Sequence, residues 1–322
     1  MIKAYVLENE RLHVVEDIPA NEATIVWVDL QSPTAEEEQA IEGWLGIAVP
    51  SREEMEEIEI SSRLYSEDSA YFMTATLPAH ADGDHPEMLP VAFVLSGGKL
   101  VTVRFHEPRA FQTFPQRAQK AALGCSTGEM VLINLLEVIV DRLADILERT
   151  GRDILDISQG IFHPGESKAS RRDRNFQIIL RRIGRKEDLL SKLQDSLLTM
   201  QRLSGFLSAI PLKLNKESRT RIKTLSRDIV SLSDHAGGLS QKINFLLDAT
   251  LGMINIEQNA IIKIFSVVAV VFLPPTLVAS IYGMNFQIMP ELNWSIGYPL
   301  AILAMILSAI LPFLYFKRRG WL

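Results

Sequence analysis

Tyr282-Gly283-Met284-Asn285 sits in a short polar gap between two long apolar runs, one from about residue 261 to 282 and one from about 296 to 316. Asn285 supplies a neutral amide oxygen, which accepts hydrogen bonds from the waters of a hydrated cation without the deep electrostatic trap of a carboxylate ring. Gly283 is open to backbone conformations closed to other residues, so the segment is expected to present main-chain carbonyls beside that side chain. This is the chemistry of an ion pathway. An ordinary helix C-cap built on Gly and Asn is the bland alternative.

The elements that must position this motif are the apolar runs themselves. Each is close to the roughly 20 residues that a helix needs to cross a bilayer, and each is too long and too uncharged for an ordinary core helix. Lys317, Arg318 and Arg319 close the second run and Lys263 sits at the entry of the first, whereas the loop between them offers Glu291 but no Lys or Arg. By the positive-inside rule both termini are expected to be cytoplasmic. Two spans cannot enclose a pore, so a homo-oligomer with closed rotational symmetry is required.

If the first span lines the axis, stepping back from Asn285 at helical spacing selects Ser280, Thr276, Leu273, Ala269, Phe265 or Ser266, Ile262 and Asn259. The stripe is polar at both ends and apolar between, and a dry apolar constriction can gate an ion by dewetting. Leu273, Phe265 and Ile262 are the gate candidates; packing between helices is the competing role for each. Pro274 and Pro275 remove two backbone donors and free the carbonyls of Val270 and Val271, which either face the pore or mark a bend in the span.

Ahead of the membrane segment the chain reads in three parts. Residues 1–125 form an expected α/β cytoplasmic domain, with strands at Ile2–Leu7, Thr24–Leu30, Tyr71–Leu77, Met88–Leu95 and Lys99–Phe105. Thr34 followed by Glu36, Glu37 and Glu38 marks a helix start, and Ser96-Gly97-Gly98-Lys99 a hairpin turn. Residues 126–215 carry apolar positions at three- and four-residue spacing and predict long antiparallel helices, interrupted at 160–170 around His163-Pro164-Gly165. Residues 216–260 predict the cytoplasmic part of a stalk helix that continues into the two-span domain at 261–322. Gly237, Gly238 and Gly252 cost about 1 kcal/mol each, too little to break it. Such a helix would reach on the order of 90 to 100 Å and needs neighbouring helices, from its own and other subunits.

Composition removes other classes. With 33 basic and 39 acidic residues the net charge is −6, which argues against a nucleic-acid partner held through phosphates. Cys125 is the only cysteine, so no intrachain disulfide is possible. The N-terminus runs straight into mixed polar sequence, so no signal peptide is expected. No Gly-rich phosphate loop ending in Lys-Ser or Lys-Thr and no nucleophile with a partner set is found, so no enzyme and no cofactor are expected.

Tyr282-Gly283-Met284-Asn285, with Phe286 and the following Met289-Pro290-Glu291-Leu292, resembles the signature of the CorA family of divalent-cation transporters. The segments Asn255-Ile256-Glu257-Gln258-Asn259, Phe272-Leu273-Pro274-Pro275-Thr276 and Tyr315-Phe316-Lys317-Arg318-Arg319-Gly320-Trp321-Leu322 look like the proteobacterial magnesium transporters of that family. The close resemblance covers roughly 241–322; the first half is similar in layout only. It implies a pentameric channel in the bacterial inner membrane that admits Mg²⁺, with Co²⁺ and Ni²⁺ as secondary ions. Mg²⁺ holds its waters tightly, which suits a neutral entrance that reads the hydrated ion.

The resemblance also implies closure by intracellular Mg²⁺, bound by carboxylates of the α/β domain and the stalk. Glu67 and Asp68 occupy the place of the family's domain carboxylate, and Asp228, Asp234 and Asp248 are the stalk acids. Asp248 fits its family position best. Thr224 stands where an acidic partner of Asp68 would be, and solvated surface is the alternative for each acid. His80, Asp82, Asp84, His85 and Glu87 gather possible ligands, but Gly83 and Pro86 favour a polar hairpin turn. Arg171-Arg172-Asp173-Arg174 and Arg181-Arg182 read as solvated helix faces. Competing functions are a zinc transporter of the same superfamily, in which the Gly-Met-Asn and Met-Pro-Glu-Leu segments are usually altered, and a membrane-anchored signalling or scaffold protein.

Overall fold

The structure is a computed structural model that describes residues 1–15, 25–83, 86–162, 169–212, 214–285 and 289–321; the side chains at 169–175, 291 and 292 lie outside the description. The chain forms two compact units, Met1–Leu247 and Asp248–Leu322.

The first unit is built on a seven-stranded mixed sheet. Its strands are β1 (Ile2–Glu8), β2 (Arg11–Val15), β3 (Ile25–Gln31), β4 (Leu64–Glu67), β5 (Ala70–Ala79), β6 (Glu87–Ser96) and β7 (Lys99–Arg104), in the order β2-β1-β3-β7-β6-β5-β4. Only β3 and β7 run parallel; every other pair is antiparallel. Five strands coincide with the expected runs to within a residue or two, Thr24 itself lying outside the described residues.

Two strands escape the sequence reading for one reason. Both hairpins that contain them turn on non-glycine residues at positive φ, Asn9-Glu10 for β1–β2 and Asp68-Ser69 for β4–β5. Such tight turns normally announce themselves by a glycine. The Gly97-Gly98 turn does, with both φ positive and Ser96 paired to Lys99.

Period-two alternation sends the two faces of the sheet to different partners. Ala4, Val6, Val28, Leu30, Val101 and Val103 face a core closed by α1 (Ala35–Leu45) and α2 (Arg52–Glu56) through Ile41 and Met55. Thr34 caps α1, accepting from the Glu37 backbone while the Glu37 side chain accepts from Thr34, the reciprocal pair foreshadowed by the acidic run. A short helix α3 (Ile60–Arg63) leads into β4.

On the opposite face Tyr5 stacks on Trp27 at 4.1 Å, and Trp27 meets Phe111 and Phe114 of α4 (Ala110–Lys120). The helices α5 (Gly128–Phe162) and α6 (Ala169–Ala209) also belong to this unit. The N–H of Gly128 donates to the Gly98 carbonyl at 2.6 Å, and a Cβ there would meet Lys99 backbone at 2.3 Å. The break expected around His163-Pro164-Gly165 lies outside the described residues.

The third long helix, α7, runs from Lys216 to Tyr282 without interruption, passing through Gly237, Gly238 and Gly252. It contributes 216–247 to the first unit and 248–282 to the second. The second unit continues with a 3₁₀ turn at Pro290–Asn293 and α8 (Gly297–Arg318). Helices α7 and α8 each contain a stretch long and apolar enough to cross a membrane.

Candidate functional site: the polar loop between two spans

Tyr282 is the last residue of α7, Gly283 and Met284 form the turn that follows, and Asn285 lies in irregular chain beyond it. The Gly283 N–H donates to the Ala279 carbonyl at 2.9 Å and the Met284 N–H to the Ile281 carbonyl at 3.3 Å, so the helix closes in its normal way and then releases the chain. The backbone freedom expected of Gly283 is not used through a positive φ. Its lack of a side chain matters sterically instead, because a Cβ would sit 3.1 Å from the Ala279 oxygen. Phe286 and the Glu291 side chain lie outside the described residues.

Ala279, Tyr282, Gly283, Trp294, Gly297 and Tyr298 line a mostly apolar pocket of about 400 Å³ next to the motif. Exposed Trp294 and Tyr298 suit the headgroup level of a bilayer. At the other end of the hairpin, the Lys263 ammonium lies 5.9 Å from the Trp321 ring and the Arg319 guanidinium 5.5 Å from the Tyr315 ring. The entry of the first span is thereby level with the exit of the second, and the cations of both gather there.

Helix geometry places Asn259, Ile262, Phe265, Leu273, Thr276 and Ser280 along one side of α7. All are exposed in the single chain, Phe265 at 70%, Leu273 at 65% and Ile262 at 60%. Pro274 and Pro275 remain inside the helix, and the peptide bonds there are trans. The Thr276 hydroxyl donates to the Phe272 carbonyl at 2.8 Å, so its proton is engaged within the helix and its lone pairs remain free to accept.

Of the candidate regulatory acids, Glu67 ends β4 and Asp68 takes the first position of the β4–β5 turn at φ 46°. Asp228, Asp234 and Asp248 are exposed on α7. Among the described residues no group of three or more His, Cys, Asp or Glu side chains is arranged to hold a metal ion. A related feature is the carboxyl of Asp141 on α5. Burial pushes it above the usual carboxylate range, and negative Asp145, Glu137 and Asp228 add to the shift against Arg117.

Asp82 belongs to a different constellation from the expected ligand cluster, of which Asp84 and His85 lie outside the described residues. Its carboxylate accepts from Arg142 at 2.7 Å, from Arg109 at 3.1 Å and from Arg149. Partial burial opposes ionisation, but the Arg149 and Arg142 hydrogen bonds outweigh it and hold the carboxyl below its ordinary range. The sequence signal was available: Arg142 and Arg149 are seven residues apart and share a helix face.

Fold and site together have the organisation of a membrane protein: a large mixed-sheet unit, then two helices long and apolar enough to cross a bilayer, with the Tyr282–Asn285 motif between them. The family model described as "CorA-like Mg2+ transporter protein" matches residues 22–318, and the chain belongs to that family. It is 39% identical over 327 residues to the magnesium transport protein CorA of Escherichia coli strain K12, and 37% over 323 residues to that of Haemophilus influenzae strain Rd. In both comparisons the whole of each chain is covered. The complete structure of the CorA magnesium transporter from Methanocaldococcus jannaschii shares the fold, with a TM-score of 0.79 at 20% identity over 100% of this chain and 99% of that one.

Proposed function

We propose that this chain forms a homopentameric channel of the bacterial inner membrane that carries Mg²⁺ inward, with Co²⁺ and Ni²⁺ as secondary ions, and that both termini are cytoplasmic. The observation that carries this reading is the intact Gly283-Met284-Asn285 segment between two spans, in a chain with end-to-end relatives named as magnesium transport proteins. Asn285 forms a ring of neutral oxygens at the outer mouth that reads the hydrated ion, helped by the carbonyls of Tyr282, Gly283 and Met284. The exposed side of α7 lines the axis, with Ile262, Phe265 and Leu273 as the dewetting gate and Asn259, Thr276 and Ser280 as polar stations. Glu291, in the loop outside, raises the local cation concentration. Lys263, Lys317, Arg318 and Arg319 at one end of the hairpin support the cytoplasmic placement of both termini.

A divalent cation gains about 4.6 kcal/mol per 100 mV of membrane potential, twice the value for a single charge, so no nucleotide-driven pump is needed. Cytoplasmic Mg²⁺ closes the channel by bridging carboxylates of neighbouring subunits, drawn from Glu67, Asp68, Asp228, Asp234 and Asp248. The decisive experiment measures Mg²⁺ and Zn²⁺ flux into proteoliposomes containing the native chain or Asn285→Ala. Selective Mg²⁺ flux that the substitution abolishes or makes unselective is expected. A properly inserted oligomer that passes no Mg²⁺, or a variant indistinguishable from the native chain, overturns the reading.

A further inference from the structure

A cleft of about 270 Å³ lies in the first unit between the β5–β6 connection and the helices α5 and α6. Cationic Arg149, Arg182, Arg185 and Lys186 line it, against the carboxylates of Asp82 and Asp153. Asp153 pairs with Lys186 at 2.5 Å. Asp82 is already shared among Arg149 and the neighbouring Arg142 and Arg109. Leaving aside Arg185, which has a partner of its own, two carboxylates thus face five cationic groups among the described residues, in a chain whose overall charge is −6. Arg182 makes no ion pair or side-chain hydrogen bond that offsets its charge among the described residues. Crowding like charges is unfavourable unless an anion compensates them.

We propose that this cleft binds a phosphate-bearing anion, with Asp82 acting as a tethered carboxylate that keeps Arg142 and Arg149 oriented around its edge. Guanidinium forks match phosphate oxygens two at a time, and Lys186 adds a point charge. The apolar side chains of Ile146 and Leu189 form part of the lining, which strengthens charge-assisted hydrogen bonds above them. The volume suits one or two phosphoryl groups and is below the range of sites that enclose an entire drug-sized ligand. Free phosphate or pyrophosphate and the phosphate tail of a nucleotide present the same chemistry here. The proposal does not depend on ion transport, because binding is read without flux.

The test is isothermal titration calorimetry on the full-length protein in detergent micelles, in Mg²⁺-free buffer at constant ionic strength. Inorganic phosphate, pyrophosphate and ATP are titrated separately. Saturable binding of pyrophosphate is expected; markedly tighter ATP binding assigns the source to nucleotides, and equal or weaker ATP binding to free phosphates. Arg182→Ala should weaken binding by about tenfold, the loss of one charge-assisted hydrogen bond, while Arg182→Lys loses less. Asp82→Asn, which removes a competing negative charge, should tighten it. Arg182 is exposed, so its variants should melt with the native protein. No saturable binding of any of the three anions to the folded native protein overturns the proposal, and so does binding that Arg182→Ala leaves unchanged.

Discussion

Asp29 and Arg104 form a doubly hydrogen-bonded ion pair between the parallel neighbours β3 and β7, with Nη2 to Oδ2 at 2.8 Å and Nε to Oδ1 at 3.1 Å. Both side chains are almost completely buried, Arg104 at 3% and Asp29 at 2% exposure. Thr102 donates to Asp29 at 2.7 Å and accepts from the Trp27 indole, while Arg104 also donates to the His106 carbonyl. The network crosses the β3–β7 junction, where Asp29 faces Thr102 and Gln31 faces Arg104, so a one-residue slip would break every cross-strand bond in it.

Removing one partner strands the other charge in the core. Asp29→Ala is expected to destabilise the protein by about 3 to 5 kcal/mol, whereas the double change Asp29→Leu, Arg104→Met should cost much less. Denaturant midpoints of the three proteins check this. Equal destabilisation by the single and double changes would show that packing, not stranded charge, dominates.

Gly128 starts α5 against the backbone of the β6–β7 turn. Gly128→Ala leaves no room for a Cβ beside the Lys99 carbonyl carbon, so strand turn and helix must separate. A loss of about 1 to 3 kcal/mol is expected, typical of overpacking at a rigid contact. Gly124→Ala, at a site with open space but φ 68°, supplies the comparison. Thermal unfolding of both variants separates close approach from backbone strain.

The Asp82 cluster should give an acid-sensitive contribution. Its folded-state carboxyl lies below the ordinary value, so the stabilisation is fully present above the unfolded-state carboxylate value near pH 4 and is lost as pH falls through the lower folded value. The side chain is half exposed, so the effect is less than about 1 kcal/mol and shrinks with salt. A melting gap between the native chain and Asp82→Asn that is constant from about pH 5 to 8 and closes in acid is expected. A gap that persists unchanged below pH 3 would contradict the pairing.

The proposed regulation makes a separate prediction. Replacing Asp68 and Asp248 together by Ala should raise Mg²⁺ uptake at high internal Mg²⁺ several-fold while leaving Asn285-dependent selectivity intact. Flux into liposomes preloaded with Mg²⁺ measures both. Unchanged inhibition would move the sensor to other carboxylates, with the acidic face of Asp141, Asp145 and Asp228 next to be tested.

Features that repeat locally were legible in the residues alone. Apolar alternation located five strands, three- and four-residue spacing located α5, α6 and α7, and the lengths of two apolar runs located the helical stretches long enough to cross a membrane, because each signal is written within a single element. The short strands β2 and β4 were not legible, since their stability comes from pairing across turns of Asn9-Glu10 and Asp68-Ser69 rather than from their own residues. At the candidate site, the identity and order of Tyr282 to Asn285 were readable, but the reason for Gly283 was not: its constraint is the approach of the Ala279 carbonyl, not φ. Arg182 and Asp82, far apart in the chain and bland as text, became a charged cleft only when α5, α6 and the β5–β6 connection met. Tertiary structure decided those pairings because electrostatic and steric contacts act over a few ångströms in space, whatever the separation along the chain.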